Sequence, residues 1–174
     1  MHRPLYYELA ANAGGIVRSR LRKRIGMGEP GGAEAHWLAF EEVAEVVVTS
    51  EDANAPIEAA LIEGSGSHWR AAESGEQSIR IRFDQRQDIH LIHVVFDETE
   101  HARVQEFALQ WSNDGGRTFQ PVVRQQFSFS PSGATRETEN YRVNLPGLTE
   151  LRLDIVPDVS GGPHVATLTR LRMR

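Results

Sequence analysis

The segment 107–123 constrains the fold of this chain more than any other stretch of its sequence. It begins Phe107-Ala108-Leu109-Gln110-Trp111, which places three large apolar side chains on one face of a half-buried β-strand. An Asn-Asp-Gly-Gly sequence follows, and glycine accepts positive φ without steric cost, so the chain is expected to reverse there. We therefore predict a β-hairpin in which Trp111 and Phe119 face the core and Asp114 accepts hydrogen bonds within the turn.

The chain beyond Glu45 repeats this pattern of short strands and turn residues. A short helix with Pro56 in its first turn is expected at 55–62, and 36–43 is either a short helix or an edge strand. No crossover helices separate the strands, which excludes parallel βαβ units. The pattern predicts an all-β fold, an antiparallel β-sandwich. About eight strands are expected, at 46–49, 78–83, 89–96, 107–111, 127–129, 141–145, 151–155 and 165–173.

The first 32 residues differ in composition from the rest and are predicted to form a separate extension before a domain at 33–174. Short helices are expected at 1–14 and 16–25, followed by a glycine-rich linker at 26–32. The second helix would be basic and amphipathic, and it would either dock on nucleic acid, a membrane surface or an acidic partner, or present a solvated face. Its basic residues are Arg18, Arg20, Arg22, Lys23 and Arg24.

Charge and composition exclude several classes of protein. The net charge of -5 argues against a nucleic-acid-binding role for the chain as a whole. The absence of cysteine excludes disulfides, thiolate metal sites and a cysteine nucleophile. No apolar stretch approaches the roughly 20 residues of a membrane span, and the N-terminus lacks a secretory apolar run, so a cytoplasmic location is expected.

Catalytic and metal-binding motifs are also missing from the sequence. No Gly-x-Ser-x-Gly elbow and no phosphate-binding Gly-Lys loop occurs. His90 and His93 stand three apart in a predicted strand, so their side chains would point to opposite faces and could not share an ion. We expect a non-enzymatic domain without a metal or cofactor.

The order of these elements resembles the discoidin (coagulation factor 5/8 type C) family, within the galactose-binding-like jelly-roll superfamily. The resemblance is carried by Trp69, the strands at 79–83 and 89–96, the hairpin with Asp114-Gly115, and the closing strands. It implies a jelly-roll β-sandwich that acts as a binding module, with a carbohydrate or another small polar ligand as the leading expectation. A cytoplasmic scaffold that binds a protein or nucleic acid is the alternative.

Two details qualify the resemblance. The calcium site of discoidin-type lectin modules is not expected here, because Glu63-Gly64 and Arg170 replace the family's Asp-Gly pair and acidic residue. The sequence His68-Trp69-Arg70-Ala71-Ala72 with Gly75-Glu76 is also similar to the N-terminal domain of the scaffold protein of DNA single-strand-break repair.

Ligands of jelly-roll modules bind in loops at one end of the sandwich, held by rigid strands. Trp69 is expected to plug the core, whereas His101 and Arg103 are expected to be exposed. A sugar site would combine an aromatic face with hydrogen-bonding side chains. The candidate ligand-binding residues are His68, Arg70, Glu98, His101, Arg103 and His164.

Overall fold

The computed structural model describes the backbone of residues 17–19 and all of residues 36–174. Within these residues the secondary structure is almost entirely β, with two one-turn helices. In chain order the elements are β1 (Val17–Ser19), α1 (Phe40–Val43), β2 (Ala44–Val48), α2 (Glu58–Leu61), β3 (Trp69–Ser74), β4 (Gln77–Asp97), β5 (Arg103–Ser112), β6 (Gln120–Phe129), β7 (Arg136–Val156), β8 (Val165–Leu168) and β9 (Arg170–Met173).

Every strand pairing in the described residues is antiparallel. The larger sheet has the order β1-β2-β4-β7-β5-β6, with β9 also paired to β4, and β3 pairs with β8 in a two-stranded sheet. The first half of β4 pairs with β2 and the end of β7, whereas its second half pairs with β9 and the beginning of β7. This arrangement confirms the predicted all-β antiparallel sandwich.

A single hydrophobic core lies between the layers. Strand alternation supplies it: in β4, Ile79 and Ile81 are buried while Arg82 is exposed. Trp69 is fully buried, as predicted. Both helices contribute apolar residues to the same cluster, Phe40 from α1 and Leu61 from α2. The core therefore fixes the strands whose loops carry the candidate site.

The predicted hairpin is confirmed as β5 and β6, paired from Arg103 with Phe129 to Trp111 with Gln120. Trp111 is buried, as expected. The prediction for Phe119 was wrong, because this residue is only half-buried. The guanidinium carbons of Arg80 and Arg152 lie 5.8 and 5.0 Å from the centre of its ring. Phe119 precedes β6, where the turn places it beside charged side chains rather than in the core.

Two pairs of predicted strands are single strands in the structure. The strands expected at 78–83 and 89–96 form the continuous β4, and those expected at 141–145 and 151–155 form the continuous β7. The pairing of β4 with β7 shifts register between Arg82 and Leu91, opposite Pro146 and Gly147. These shifts bend both strands without ending them. The proline was expected to end its strand, but at an irregular position its missing N–H costs no ladder hydrogen bond.

The closing strand and the N-terminal extension also differ from prediction. The strand expected at 165–173 is divided into β8 and β9, which pair with different neighbours. The helix expected at 16–25 is wrong for residues 17–19, which form β1 on the edge of β2. Strand pairing there satisfies backbone groups that the edge of β2 would otherwise present unpaired. The remaining predictions for 1–35 lie outside the described residues.

The structure tests the two short helices considered after residue 33. The segment at 36–43 contains α1 rather than an edge strand, and α2 lies within the helix expected at 55–62. In the described part of the chain, neither helix has the length and apolar character that would span a membrane.

Candidate functional site

A polar cleft of about 400 Å³ lies where β3 and β8 meet two loops. One loop connects β4 to β5, and the other connects β7 to β8. The lining consists of Ser67, His68, Arg70, residues 97–101, Arg103, Pro163, His164, Val165, Thr167 and Thr169.

The floor of the polar cleft is one face of the β3–β8 pair. Trp69 lies opposite Leu168 in the register, and both are fully buried. Their neighbours Arg70 and Thr167 also lie opposite each other, and alternation turns both to the cleft. The Thr167 hydroxyl oxygen is shielded from solvent and has no hydrogen-bond partner among the described residues.

Glu98 organises the first wall, the loop between β4 and β5. Its Oε1 accepts hydrogen bonds from the backbone N–H groups of Glu100 (2.8 Å) and His101 (3.0 Å). Its Oε2 lies 2.9 Å from Nε of Arg103. Arg103 Nη1 in turn donates to the carbonyl oxygen of Val165 at 2.9 Å. These contacts hold the loop against the floor.

The exposure predicted for Arg103 was wrong, whereas that predicted for His101 is confirmed. The Arg103 side chain is 2% exposed and the His101 side chain 53% exposed. A guanidinium can be buried here because Glu98 balances its charge and the Val165 carbonyl accepts one of its N–H groups.

The charges of this wall shift the pKa values of both partners. Burial raises the pKa of Glu98, but the backbone donors and the charges of Arg103 and His101 outweigh burial, so the net pKa lies below its usual value. Burial lowers the pKa of Arg103, and the nearby charge of Arg70 lowers it further, against the opposing effects of Glu98 and Asp158. Glu98 is therefore an ionised, structural carboxylate at neutral pH.

Asp158 organises the second wall, the loop between β7 and β8. Its Oδ1 accepts hydrogen bonds from the Ser160 backbone N–H (2.9 Å) and hydroxyl (2.7 Å), which are the main cause of its lowered pKa. Its Oδ2 lies 3.6 Å from Nε2 of His164. A Cβ on Gly162 would lie 2.6 Å from that carboxylate, so a larger residue there would displace the Asp158 side chain.

The two walls meet through their histidines. The rings of His101 and His164 have centroids 4.9 Å apart at an interplanar angle of 58°. His68 stands at the edge of the floor, where its Nδ1 lies 2.8 Å from the Ser67 hydroxyl. The cleft thus presents imidazole, guanidinium and hydroxyl groups on a supported framework.

All six candidate side chains chosen from the sequence line this one cleft. The sequence reasoning missed the floor residues Thr167 and Thr169, which it had placed in a strand. Their signal was alternation, since Val165, Thr167 and Thr169 share one face. Residues 36–174 contribute no aromatic platform of the kind expected for a sugar site, because Trp69 faces the core.

Metal ligands do not assemble in the part of the chain that the structure describes. No group of three or more His, Asp or Glu side chains there has the arrangement of an ion site. His90 is exposed and His93 is half-buried, and Nδ1 of His93 lies 2.9 Å from Oδ1 of Asn140.

Solved structures that share this fold include carbohydrate-binding modules. A pectin-binding module is 21% identical, with a TM-score of 0.54 over 76% of this chain and 91% of that chain. The family 32 module of NanJ from C. perfringens, in complex with galactose, is 15% identical, with a TM-score of 0.54 over 74% and 90%. A family 32 module from a family 31 glycoside hydrolase of Clostridium perfringens is 18% identical, with a TM-score of 0.57 over 79% and 93%.

These identities are low, so the similarity concerns the fold. No curated protein sequence matches the chain at a significant level. The resemblance to the DNA-repair scaffold domain is not shown by these comparisons. The sequence model of the F5/8 type C domain, however, matches residues 45–162, which is most of the described domain. The chain therefore belongs to the F5/8 type C (discoidin) family, a family of non-catalytic binding modules.

Proposed function

We propose that this protein binds a carbohydrate, or a similarly small polar ligand, in the polar cleft. The observation that carries the proposal is the convergence of six side chains from three separate stretches of sequence on one cavity. Its volume of about 400 Å³ falls within the range of small-molecule sites.

The chemistry of the lining suits a polyhydroxylated ligand. Sugar hydroxyls both donate and accept hydrogen bonds, so they need a mixture of partners. The cleft supplies guanidinium and imidazole N–H groups from Arg70 and His68, a hydroxyl from the exposed Thr99 and a carboxylate from Glu100. Rigid support from the Glu98 and Asp158 contacts lowers the entropy lost on binding. The galactose complex of the NanJ module lends support by analogy of fold.

A glycan array with the full chain, followed by calorimetric titration of the best ligand, tests the proposal. We expect saturable binding, and we expect His101→Ala to weaken it by about tenfold, or ~1.4 kcal/mol. His101 is suitable because its side chain is exposed in the cleft, so its removal spares the core. His90→Ala is the matched control, since His90 is exposed on β4 outside the cleft and should bind as the wild type does. Absence of binding to every saccharide would contradict the proposal.

The alternative, a scaffold that binds nucleic acid or protein through the basic extension, has less support. Of the basic residues in this extension, the structure describes only the backbone of Arg18. That residue lies in strand β1 rather than in the expected basic helix. Replacing Arg18, Arg20, Arg22 and Lys23 by Ala would abolish a salt-dependent interaction with DNA or RNA if this alternative held.

A further inference from the structure

The carboxylates around the polar cleft are mostly engaged with the protein itself. Glu98 contacts Arg103 and two backbone N–H groups. Asp97 accepts from Arg136 at 3.1 Å, and Asp158 is held by Ser160. Their negative charge is therefore balanced by cations and N–H donors before a ligand arrives, and Glu100 is the remaining lining carboxylate.

The donors of the floor are not engaged in the same way. Arg70 lines the cleft as an exposed residue, and its guanidinium forms no ion pair within the described chain. The Thr167 hydroxyl opposite it is shielded from solvent and has no partner there. His68 contacts Ser67 through Nδ1, which leaves Nε2 for a ligand. Of these groups, Arg70 can only donate, so it favours an acceptor-rich partner.

The two guanidinium groups of the cleft repel each other. Arg70 and Arg103 both line the cleft, and the charge of Arg70 lowers the pKa of Arg103, although less than burial does. An anion bound beside Arg70 would offset this repulsion, and a carboxylate matches the planar fork of a guanidinium.

The cleft also lacks the feature that most favours a neutral sugar. Among residues 36–174, no phenylalanine, tyrosine or tryptophan lines it, so this part of the chain offers a pyranose ring no aromatic carbocycle to stack on. Affinity must come from polar contacts. Building on the proposed function, we infer that the polar cleft selects a saccharide that carries a carboxylate, a uronic acid, with Arg70 as the charged contact and Thr167 as its neighbour on the floor.

Selection by the cleft is local rather than a result of overall charge. The net charge of the chain is -5, so its average field repels an anion. A uronate that binds more tightly than its neutral counterpart must therefore find a positive site. This separates the inference from unspecific electrostatic attraction.

Calorimetric titration of the full chain with oligogalacturonate and oligoglucuronate tests the inference, with the carboxyl-reduced form of each oligosaccharide as the neutral comparison. We expect one uronate to bind at least about tenfold more tightly than its reduced form near pH 6. This preference should be lost in Arg70→Ala. Arg70→Lys should retain part of it, because it keeps the charge without the fork. Arg142→Ala, an exposed arginine on β7 outside the cleft, is the control and should keep the full preference.

The outcomes separate this inference from the function on which it rests. Equal or tighter binding of the reduced oligosaccharides, weakened by His101→Ala, would overturn the uronate preference and leave the proposed carbohydrate site standing. A uronate preference that persists in Arg70→Ala would overturn the role of Arg70. Binding of neither form, nor of any other saccharide, would overturn both proposals.

Discussion

At the tip of the β5–β6 hairpin, Asp114 acts as a structural acceptor. Its Oδ1 accepts hydrogen bonds from the Ser112 hydroxyl and from the backbone N–H groups of Arg117 and Thr118, at 2.6, 3.0 and 3.1 Å. Its Oδ2 accepts from the Thr118 hydroxyl at 2.7 Å. The Ser112 hydroxyl is the largest cause of the lowered pKa of Asp114, followed by Thr118. The sequence suggested this role, because Asp before Gly-Gly in a turn bonds its own backbone.

Replacing Asp114 by Ala should destabilise the fold at neutral pH and matter less in acid. The folded pKa lies below the unfolded value of about 3.9, so the stabilising contribution is present above pH 4 and fades as the pH falls below it. Urea unfolding of wild type and variant at pH 7 and at about pH 3 measures this, and the difference between their midpoints should narrow at low pH. Asp84→Ala, on an exposed part of β4, is the control. A difference that is the same at both pH values would contradict this role.

Among the elements, the two long strands β4 and β7 hold the architecture together. Each has 21 residues, and they pair along most of their length. The irregular step in β7 lies at Pro146 and Gly147, where Gly147 has φ +64° and its N–H donates to Oδ1 of Asp88 at 2.7 Å. Pro146-Gly147 predicted the end of a strand here, but pairing with β4 keeps β7 continuous.

Gly147→Ala should lower the free energy of unfolding by about 1–2 kcal/mol, because an alanine is strained in the left-handed region. The new Cβ would also lie 3.2 Å from Nη1 of Arg86, which a flexible side chain can relieve, so backbone strain should dominate. Gly133→Ala is the matched control, because Gly133 lacks a positive φ and its Cβ would approach no atom closer than 3.8 Å. Urea unfolding of both variants tests the difference. Equal stability of the two variants would contradict the expected backbone strain of an alanine at position 147.

At the scale of the whole molecule, an aromatic cluster joins strands β4, β5 and β6. Phe96 of β4 lies 5.1 Å from Phe107 of β5 and 6.0 Å from Phe127 of β6, measured between ring centroids. All three are buried in the main core. Because Phe96 precedes the Glu98 loop directly, the same packing supports the first wall of the polar cleft.

Phe96→Ala should therefore cost about 3–5 kcal/mol of stability, which is a large part of the roughly 5–15 kcal/mol of a typical domain. Thermal and urea unfolding of the full chain measure the loss. Val159→Ala is the control, since that side chain is 46% exposed and should change stability by less than about 0.5 kcal/mol. A loss below about 1 kcal/mol would mean that the surrounding strands collapse to fill the cavity.

The sequence by itself determined the local structure of this protein. Alternation with period two marked the strands, the Asn-Asp-Gly-Gly turn marked the hairpin, and Pro56 marked α2. These signals depend on neighbouring residues only, so they can be read without knowing the partners. The order of the elements then pointed to an antiparallel sandwich and to the polar loops that hold the six candidate residues.

Only the tertiary structure decided how these parts combine. The continuity of β4 and β7, and the strand rather than helix at Val17–Ser19, depend on pairing with distant strands. The burial of Arg103 depends on Glu98 and the Val165 carbonyl, and the floor of the cleft depends on Arg70 lying beside Thr167. Long-range contacts overrode local preference in each case, because a buried charge or a strand edge is stabilised only by the partner that the fold supplies.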